Sequence, residues 1–335
     1  MKELLKNITE ISSPSGREEK IRNFIIEEIK DHVDEYRVDK LGNLIALKKG
    51  SSGKKLLLDA HMDEIGVVVS HIDDDGFLRI EMIGGVSPYT LLGTRLQFLN
   101  GTVGVVGYES ESIAAAAENM KSLSFDKIFV DVGAVSKEDA EEKAPVGSFA
   151  TYQAEFYDAG KRMISKAFDD RIGCAFMIQL VKELEKPVDD LYLVFSVQEE
   201  VGLVGASVAS YDINPDMAIA LDISGGPDTP KHFKRMNFKL GEGPLIKIKD
   251  RASVSSSYFV NKLTEVAKKY DIPYQYEVLI FGGTNARSYQ VKGPGTHAGT
   301  ISIATRYGHT PHEMIDYDDV LNIVKLLKKL CEEGI

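Results

Sequence analysis

The chain has 335 residues, 43% hydrophobic and 27% charged, the balance of an ordinary globular protein with room for two domains or one domain bearing an insertion. A net charge of −11 argues against nucleic acid as a partner, because that binding needs Lys and Arg to neutralise phosphates. No run of 18 apolar residues occurs, so no membrane-spanning helix is expected. Residues 1–7 open an amphipathic helix rather than a leader's apolar core, and the expected location is cytoplasmic. Cys174 and Cys331 sit in helical patterns without metal-type spacing and need not form a disulfide.

Residues 2–10 and 17–33 have helical spacing. They are parted by Ser12-Ser13-Pro14-Ser15-Gly16, with Ser15 read as an N-cap and Glu18 as its capping-box carboxylate. Strands follow near 35–39 and 44–48, turned by Gly42-Asn43. Leu56, Leu57 and Leu58 then drive into Asp59, His61, Asp63 and Glu64. This reads as a buried strand of an α/β sheet, whose carboxyl end is where functional groups gather. His61 and Asp63, two apart, face one side of an extended chain. That suits a metal-binding imidazole held by a carboxylate.

Between about 70 and 160 the texture changes. Short apolar stretches near 77–83, 95–99, 102–107, 128–132 and 147–152 are punctuated by Gly85, Pro88, Gly93, Asn100-Gly101, Gly133 and Pro145. Such spacing predicts a small β-barrel or sandwich, inserted into a parent α/β domain. The parent pattern resumes at Ile164, and after Asp169-Asp170-Arg171 an apolar stripe recurs at Ile172, Phe176, Leu180 and Leu184. A strand over 191–197 runs into Gln198-Glu199-Glu200-Val201-Gly202, and another over 217–221 ends at Asp222. A helix over 255–270, strands over 274–280 and 299–304, and a C-terminal helix from about 316 complete the chain. The expected division is a discontinuous parent domain, 1–69 and 161–335, carrying an inserted barrel, 70–160.

His61, Asp169, Glu199, Glu200, Asp222 and His309 all fall where a strand ends or a helix begins. Singly, each has a plainer reading: Asp169 as a helix N-cap, the paired glutamates as a solvated turn, Asp222 as a loop acid, His309 as a surface histidine. Together, several carboxylates at one sheet edge repel unless a cation sits among them. Two imidazoles and three carboxylates without a thiolate suit zinc, with cobalt or manganese open to the same donors. Five ligands exceed one tetrahedral shell but fit two ions sharing a carboxylate, an arrangement used in hydrolysis. Glu199 is then left for proton transfer. Both glutamates reach one site only if the chain turns, which Gly202 permits.

The stretches 61–66, 165–174 and 198–202, with Asp222 and Arg306-Tyr307-Gly308-His309, resemble the co-catalytic di-zinc aminopeptidases. More narrowly, the whole chain is similar to the glutamyl and deblocking aminopeptidases that form tetrahedral particles, a family often labelled endoglucanase in error. The resemblance implies a zinc-peptidase α/β/α sandwich on a mixed sheet, and a metal-dependent aminopeptidase trimming N-terminal residues from peptides. It also implies the roles. Asp169 bridges two ions, His61 and Glu200 complete one, and Asp222 and His309 complete the other. Glu199 is the general base on a metal-bridging water, and Asp63 orients His61. One ion would receive the substrate's free α-amine. The insertion would be a PDZ-like barrel through which dimers form and build a dodecamer.

Two departures stand out. The family usually carries Gly-Gly-Thr-Asp, whereas this chain has Gly282-Gly283-Thr284-Asn285, which bears on substrate preference. The insertion's usual Lys-Pro-Pro-His stretch is replaced near 108–112, which bears on subunit contacts. His297, His71, His232 and His312 are read as loop histidines and His32 as solvent-facing on its helix. The alternative function is a metal-dependent deacylase of small N-acyl amino acids, whose inserted domain would resemble an α+β lid. A glycosidase, needing two metal-free carboxylates, is disfavoured.

Overall fold

In the computed structural model, which describes residues 1–110, 112, 115, 118, 120–226, 228–231 and 234–335, the turn at Gly42-Asn43 joins β1 (Glu35–Val38) to β2 (Leu44–Lys48). His232, and Glu111 of the 108–112 stretch, lie outside the described residues. The apolar run that follows is β3 (Lys55–His61). Leu56, Leu58 and Ala60 enter the larger core, while Leu57 enters a separate one with Val194, Ala218 and Tyr289. Both faces of β3 are therefore covered, which is why the run has no polar alternation. Burial of each such leucine contributes about 1.5–3 kcal/mol, so the polar end of the strand rides on a firmly held stem.

The inserted segment forms β4 (Gly66–Ile72), β5 (Leu78–Ile83), β6 (Arg95–Phe98), β7 (Val103–Tyr108), β8 (Ile128–Asp131) and β9 (Phe149–Tyr152). These six close an antiparallel barrel around its own core, including Val67, Leu78, Phe98 and Val130. The junction expected at 69/70 falls inside β4. A three-stranded sheet of β10 (Tyr157–Asp158), β11 (Arg162–Ser165) and, from far along the chain, β17 (Glu313–Asp316) follows.

β12 (Asp190–Ser196), β13 (Met217–Gly225), β14 (Leu245–Lys249), β15 (Gln275–Val278) and β16 (His297–Thr305) complete an eight-stranded mixed sheet, in the order β1-β2-β12-β3-β13-β16-β14-β15. Helices Lys2–Glu10, Glu19–Ile29, Phe168–Glu183, Ser257–Lys269 and Tyr317–Glu333 supply one covering layer through residues such as Leu5, Ile25, Phe176, Leu263 and Leu327. Val204–Ile213 and Ala286–Gln290 cover the other face with Ala206, Ala209 and Tyr289. The result is an α/β/α sandwich with an inserted barrel. No helix among the described residues is long and apolar enough to cross a membrane.

Three local expectations need correction. The capping box does not form: Ser15 Oγ donates to Asp63 Oδ2 at 2.6 Å, Glu18 Oε1 accepts from Gly16 N at 2.7 Å, and the helix starts only at Glu19. β13 continues past Asp222 to Gly225, because β16 pairs with it along nine residues. His71 and His297 lie on strands β4 and β16, with exposed side chains, and His32 lies in the turn after its helix. His312 is exposed in the loop before β17.

Candidate metal centre

The parallel register carries His61 and Asp222 to one place. Asp59 of β3 is paired with Ala220 of β13 at the end of their ladder, and two residues beyond that pair the donor atoms of His61 and Asp222 come within 4.8 Å. Asp169 enters from the start of Phe168–Glu183, where Asp169 and Asp170 keep non-helical angles before the helix proper. After β12 the chain turns as its composition suggested. Gln198 has φ +54°, Gly202 has φ +125°, and Gly202 N donates to Glu199 O at 2.9 Å. Only glycine takes the Gly202 angle without strain. His309 projects from the loop between β16 and β17 with φ +60°.

Asp169 stands at the middle. Its Oδ1 is 3.0 Å from His61 Nε2 and its Oδ2 is 3.1 Å from His309 Nε2. His309 Nε2 is also 3.5 Å from Glu200 Oε1. Donor atoms of His61, Asp169 and Asp222 form one group within 4.8 Å of one another, and those of Asp169, Glu200 and His309 form a second. The implied pairing of His61 with Glu200 and of Asp222 with His309 is therefore crossed relative to the structure. The reason is topological. β3 and β13 are sheet neighbours, which joins His61 to Asp222, while the turn after β12 swings Glu200 toward His309. Glu199 belongs to neither group, with Oε2 4.0 Å from His61 Nε2.

The histidines are oriented from behind. With Nδ1 protonated, His61 donates to the main-chain oxygen of Asp63 at 3.1 Å, and its Nδ1 is 3.5 Å from Asp63 Oδ1. His309 Nδ1 lies 3.1 Å from the carbonyl of Gly85, a residue just past β5 in the inserted segment. Both rings thus present Nε2 to Asp169. The main-chain N–H groups of the same residues are held by buried carboxylates. Asp170 Oδ2 accepts from His61 N at 3.2 Å, and Glu313 accepts from Asp169 N at 3.0 Å and His309 N at 2.8 Å. Asp63 accepts from Glu199 N at 3.0 Å and Glu200 N at 3.2 Å, and Glu18 accepts from Gln198 N at 3.2 Å.

The donor set fits two divalent ions. Two atoms each about 2.0–2.1 Å from one tetrahedral ion stand about 3.3 Å apart, close to the His61–Asp169, Asp169–His309 and His309–Glu200 separations. Burial first, then the Asp169 charge, pushes the Glu200 carboxyl up to about 8, and the same causes push Asp222 up to about 7. Burial also raises Glu199 well above the ordinary carboxylate range. Burial opposes the charged imidazole of His309, yet the Asp169 bond and the Glu200 charge carry it up to about 11. Without a cation, the cluster satisfies itself only by taking up protons. Glu200 Oε1 is buried with no hydrogen-bond partner, the mark of an atom placed for something else.

A cavity of about 470 Å³ opens on these groups, with Ile223, Leu279 and Phe281 as apolar wall and Lys247 beside them. Asn285 is turned away from it: 3% exposed, it donates to Asp59 Oδ1 at 2.6 Å and Ser196 Oγ at 2.9 Å beneath the sheet edge. Sequence reasoning placed all six principal residues together with Asp63, but missed Glu313, Asp170 and Gly85. Asp170 had a signal in its adjacency to Asp169. Gly85 and Glu313 had none that a single sequence shows, since their role is a contact across the fold.

Comparison with known proteins agrees. The sequence profile of the M42 glutamyl aminopeptidases matches residues 42–326. The lysyl aminopeptidase of Pyrococcus furiosus is 39% identical over 99% of this chain and 96% of its own. An aminopeptidase from the archaeon Desulfurococcus kamchatkensis superposes with a TM-score of 0.94 at 40% identity, over 99% of this chain and 94% of the other. The TET1 peptidase of Pyrococcus horikoshii, which can assemble into a tetrahedron or a large octahedral shell, superposes with a TM-score of 0.88 at 34% identity, over 99% of each chain. With its mixed sheet, closed barrel and strand-end cluster of histidines and carboxylates, the chain belongs to the M42 glutamyl aminopeptidase family and is a metallopeptidase of the aminopeptidase class.

Proposed function

We propose that the site holds two divalent ions, zinc by its donor chemistry, with cobalt or manganese admitted by the same nitrogens and oxygens. Asp169 would be shared between them, with His61 and Asp222 completing one donor set and Glu200 and His309 the other. The observation that carries this is the Asp169 carboxylate, whose two oxygens face two imidazoles from opposite sides. When bound, such ions lower the pKa of water and polarise the scissile carbonyl. Glu199, free of both sets, takes the proton of the attacking water and passes it to the leaving amine. Asp63 fixes the turn that presents Glu199 and backs His61. The cavity beside Ile223, Leu279 and Phe281 receives the side chain of the residue being removed.

The peptide substrates reach this site past the barrel, for Gly85 beside β5 already contacts His309. We read the chain as a catalytic domain, 1–69 and 161–335, and an inserted unit, 70–160, of PDZ-like kind, with β4 crossing the junction. Met82 and Val105 are exposed apolar residues of that unit, suited to subunit contacts in a dimer and, built from dimers, a dodecamer. Two buried free cysteines, Cys174 and Cys331, fit a reducing cytoplasm. A deacylase lid of α+β type is not what the closed barrel provides.

The test is hydrolysis of a panel of unblocked and N-acylated aminoacyl substrates, after chelation and again with zinc, cobalt or manganese restored. Cleavage of unblocked substrates that disappears on chelation and returns with metal is expected. Activity that survives chelation, or is confined to acylated substrates, would overturn the reading.

A further inference from the structure

Glu313 has a place that the ligand set alone does not explain. It begins β17, is 2% exposed, and is paired in the ladder with Ser165, four residues before Asp169. An antiparallel bridge between Arg306 and Met314 brings it equally close to the loop bearing His309. Its carboxylate spans the two segments. Oε2 accepts from Asp169 N at 3.0 Å and Oε1 accepts from His309 N at 2.8 Å. Both oxygens face main-chain donors, so Glu313 acts on the ligands through their backbones. His309 sits at φ +60°, a conformation that a residue with a Cβ keeps only when its surroundings fix it.

We propose that Glu313 is a positioning residue for the ion set made by Asp169, Glu200 and His309. One carboxylate strings together the backbones of two of the three ligands, and so sets that ion's affinity. The inference rests on the two-ion reading above. The other set shares Asp169, but Glu313 makes no bond to its remaining members: the His61 amide is held by Asp170. Ligand atoms must stay within about 0.5 Å of their working positions, and a buried two-point anchor does that where one hydrogen bond would let the loop turn.

Two variants separate this role from general support. In Glu313→Gln the side-chain amide must turn its NH₂ toward one of the two N–H donors, whichever way it flips. In Glu313→Asp the carboxyl group remains, but the side chain is one methylene shorter and reaches only one of them. Metal-free wild type and both variants would be titrated with zinc against a competing chromogenic chelator, with circular dichroism recording the fold. The expected result is that one of two equivalents weakens by about 10–100-fold in Glu313→Gln, less in Glu313→Asp, while the other, which shares only Asp169, weakens by clearly less. Two wild-type constants in a folded variant, or equal weakening of both equivalents, would overturn the proposal. If Glu313→Gln does not fold, Glu313→Asp decides by the same criterion. A wild type that binds fewer than two equivalents would instead remove the two-ion reading, and this inference with it.

Discussion

The Asp63 carboxylate accepts the main-chain N–H of Glu199 at 3.0 Å, and with its other oxygen that of Glu200 at 3.2 Å. A residue read from the sequence as the partner of His61 is thus also the anchor of the turn that carries Glu199 and Glu200. Ser15 Oγ donates to the same carboxylate at 2.6 Å, so the anchor is itself fixed. In Asp63→Asn one oxygen becomes an NH₂ facing a donor, and the turn loses a tether. Turnover should fall by about 10–100-fold, the usual effect of losing a partner behind a metal site. Steady-state kinetics on an unblocked substrate at saturating metal checks this; wild-type kcat would show that the turn holds itself.

Glu199 and Asp169 should separate cleanly by what each variant loses. On the proposed role, Glu199→Ala would remove proton transfer and leave both donor sets intact, so turnover should drop by roughly 10²–10⁴-fold with metal content near normal. Asp169→Ala removes the one carboxylate common to both sets, and bound metal should be lost from both. Elemental analysis of the dialysed variants is the measurement. Two equivalents retained by Asp169→Ala would show that no carboxylate is shared.

The elements legible in the sequence were those whose patterns are local. Leu56 to Leu58, the helical stripe at Ile172, Phe176 and Leu180, and the glutamates before Gly202 each declare themselves within a few residues. The pairing of ligands did not, because it depends on sheet order: nothing near His61 says that its neighbour is Asp222 of β13 rather than Glu200. Asn285 shows the same limit. Its neighbours Gly282 and Gly283 line the cavity, yet its own side chain bonds to buried Asp59 and Ser196 rather than lining the cavity. β14 and β17 went unread, being short strands whose partners lie far along the chain.

Gly85 ties the inserted segment to the chemistry. A Cβ added there would meet His309 Nδ1 at 2.5 Å, inside any allowed contact, and the Gly85 carbonyl is the partner of that same nitrogen. Gly85→Ala should push the imidazole aside and weaken metal binding by about 10–100-fold. The barrel core, centred on residues such as Leu78 and Val130, should stay folded. Zinc titration with near-ultraviolet circular dichroism tests both halves of the statement. Unchanged zinc affinity would mean that His309 does not need Gly85.

Asp319 supplies a pH dependence away from the site. It is fully buried in the first turn of Tyr317–Glu333 and accepts from Gly241 N at 2.6 Å and Gly243 N at 2.7 Å. Burial outweighs those two amides and lifts its carboxyl from 3.8 up to about 6. A folded value above the unfolded one means that folding favours the protonated acid. The stability it contributes is full below 3.8 and is lost as pH rises through about 6, an upper bound of about 3 kcal/mol. Asp319→Asn removes this titration while costing an acceptor at every pH. The stability advantage of wild type over the variant should therefore shrink between about pH 4 and about pH 7, by up to about 3 kcal/mol. Urea midpoints of the metal-free proteins across that window measure it. A difference that stays flat would show that Asp319 titrates alike in the folded and unfolded chain.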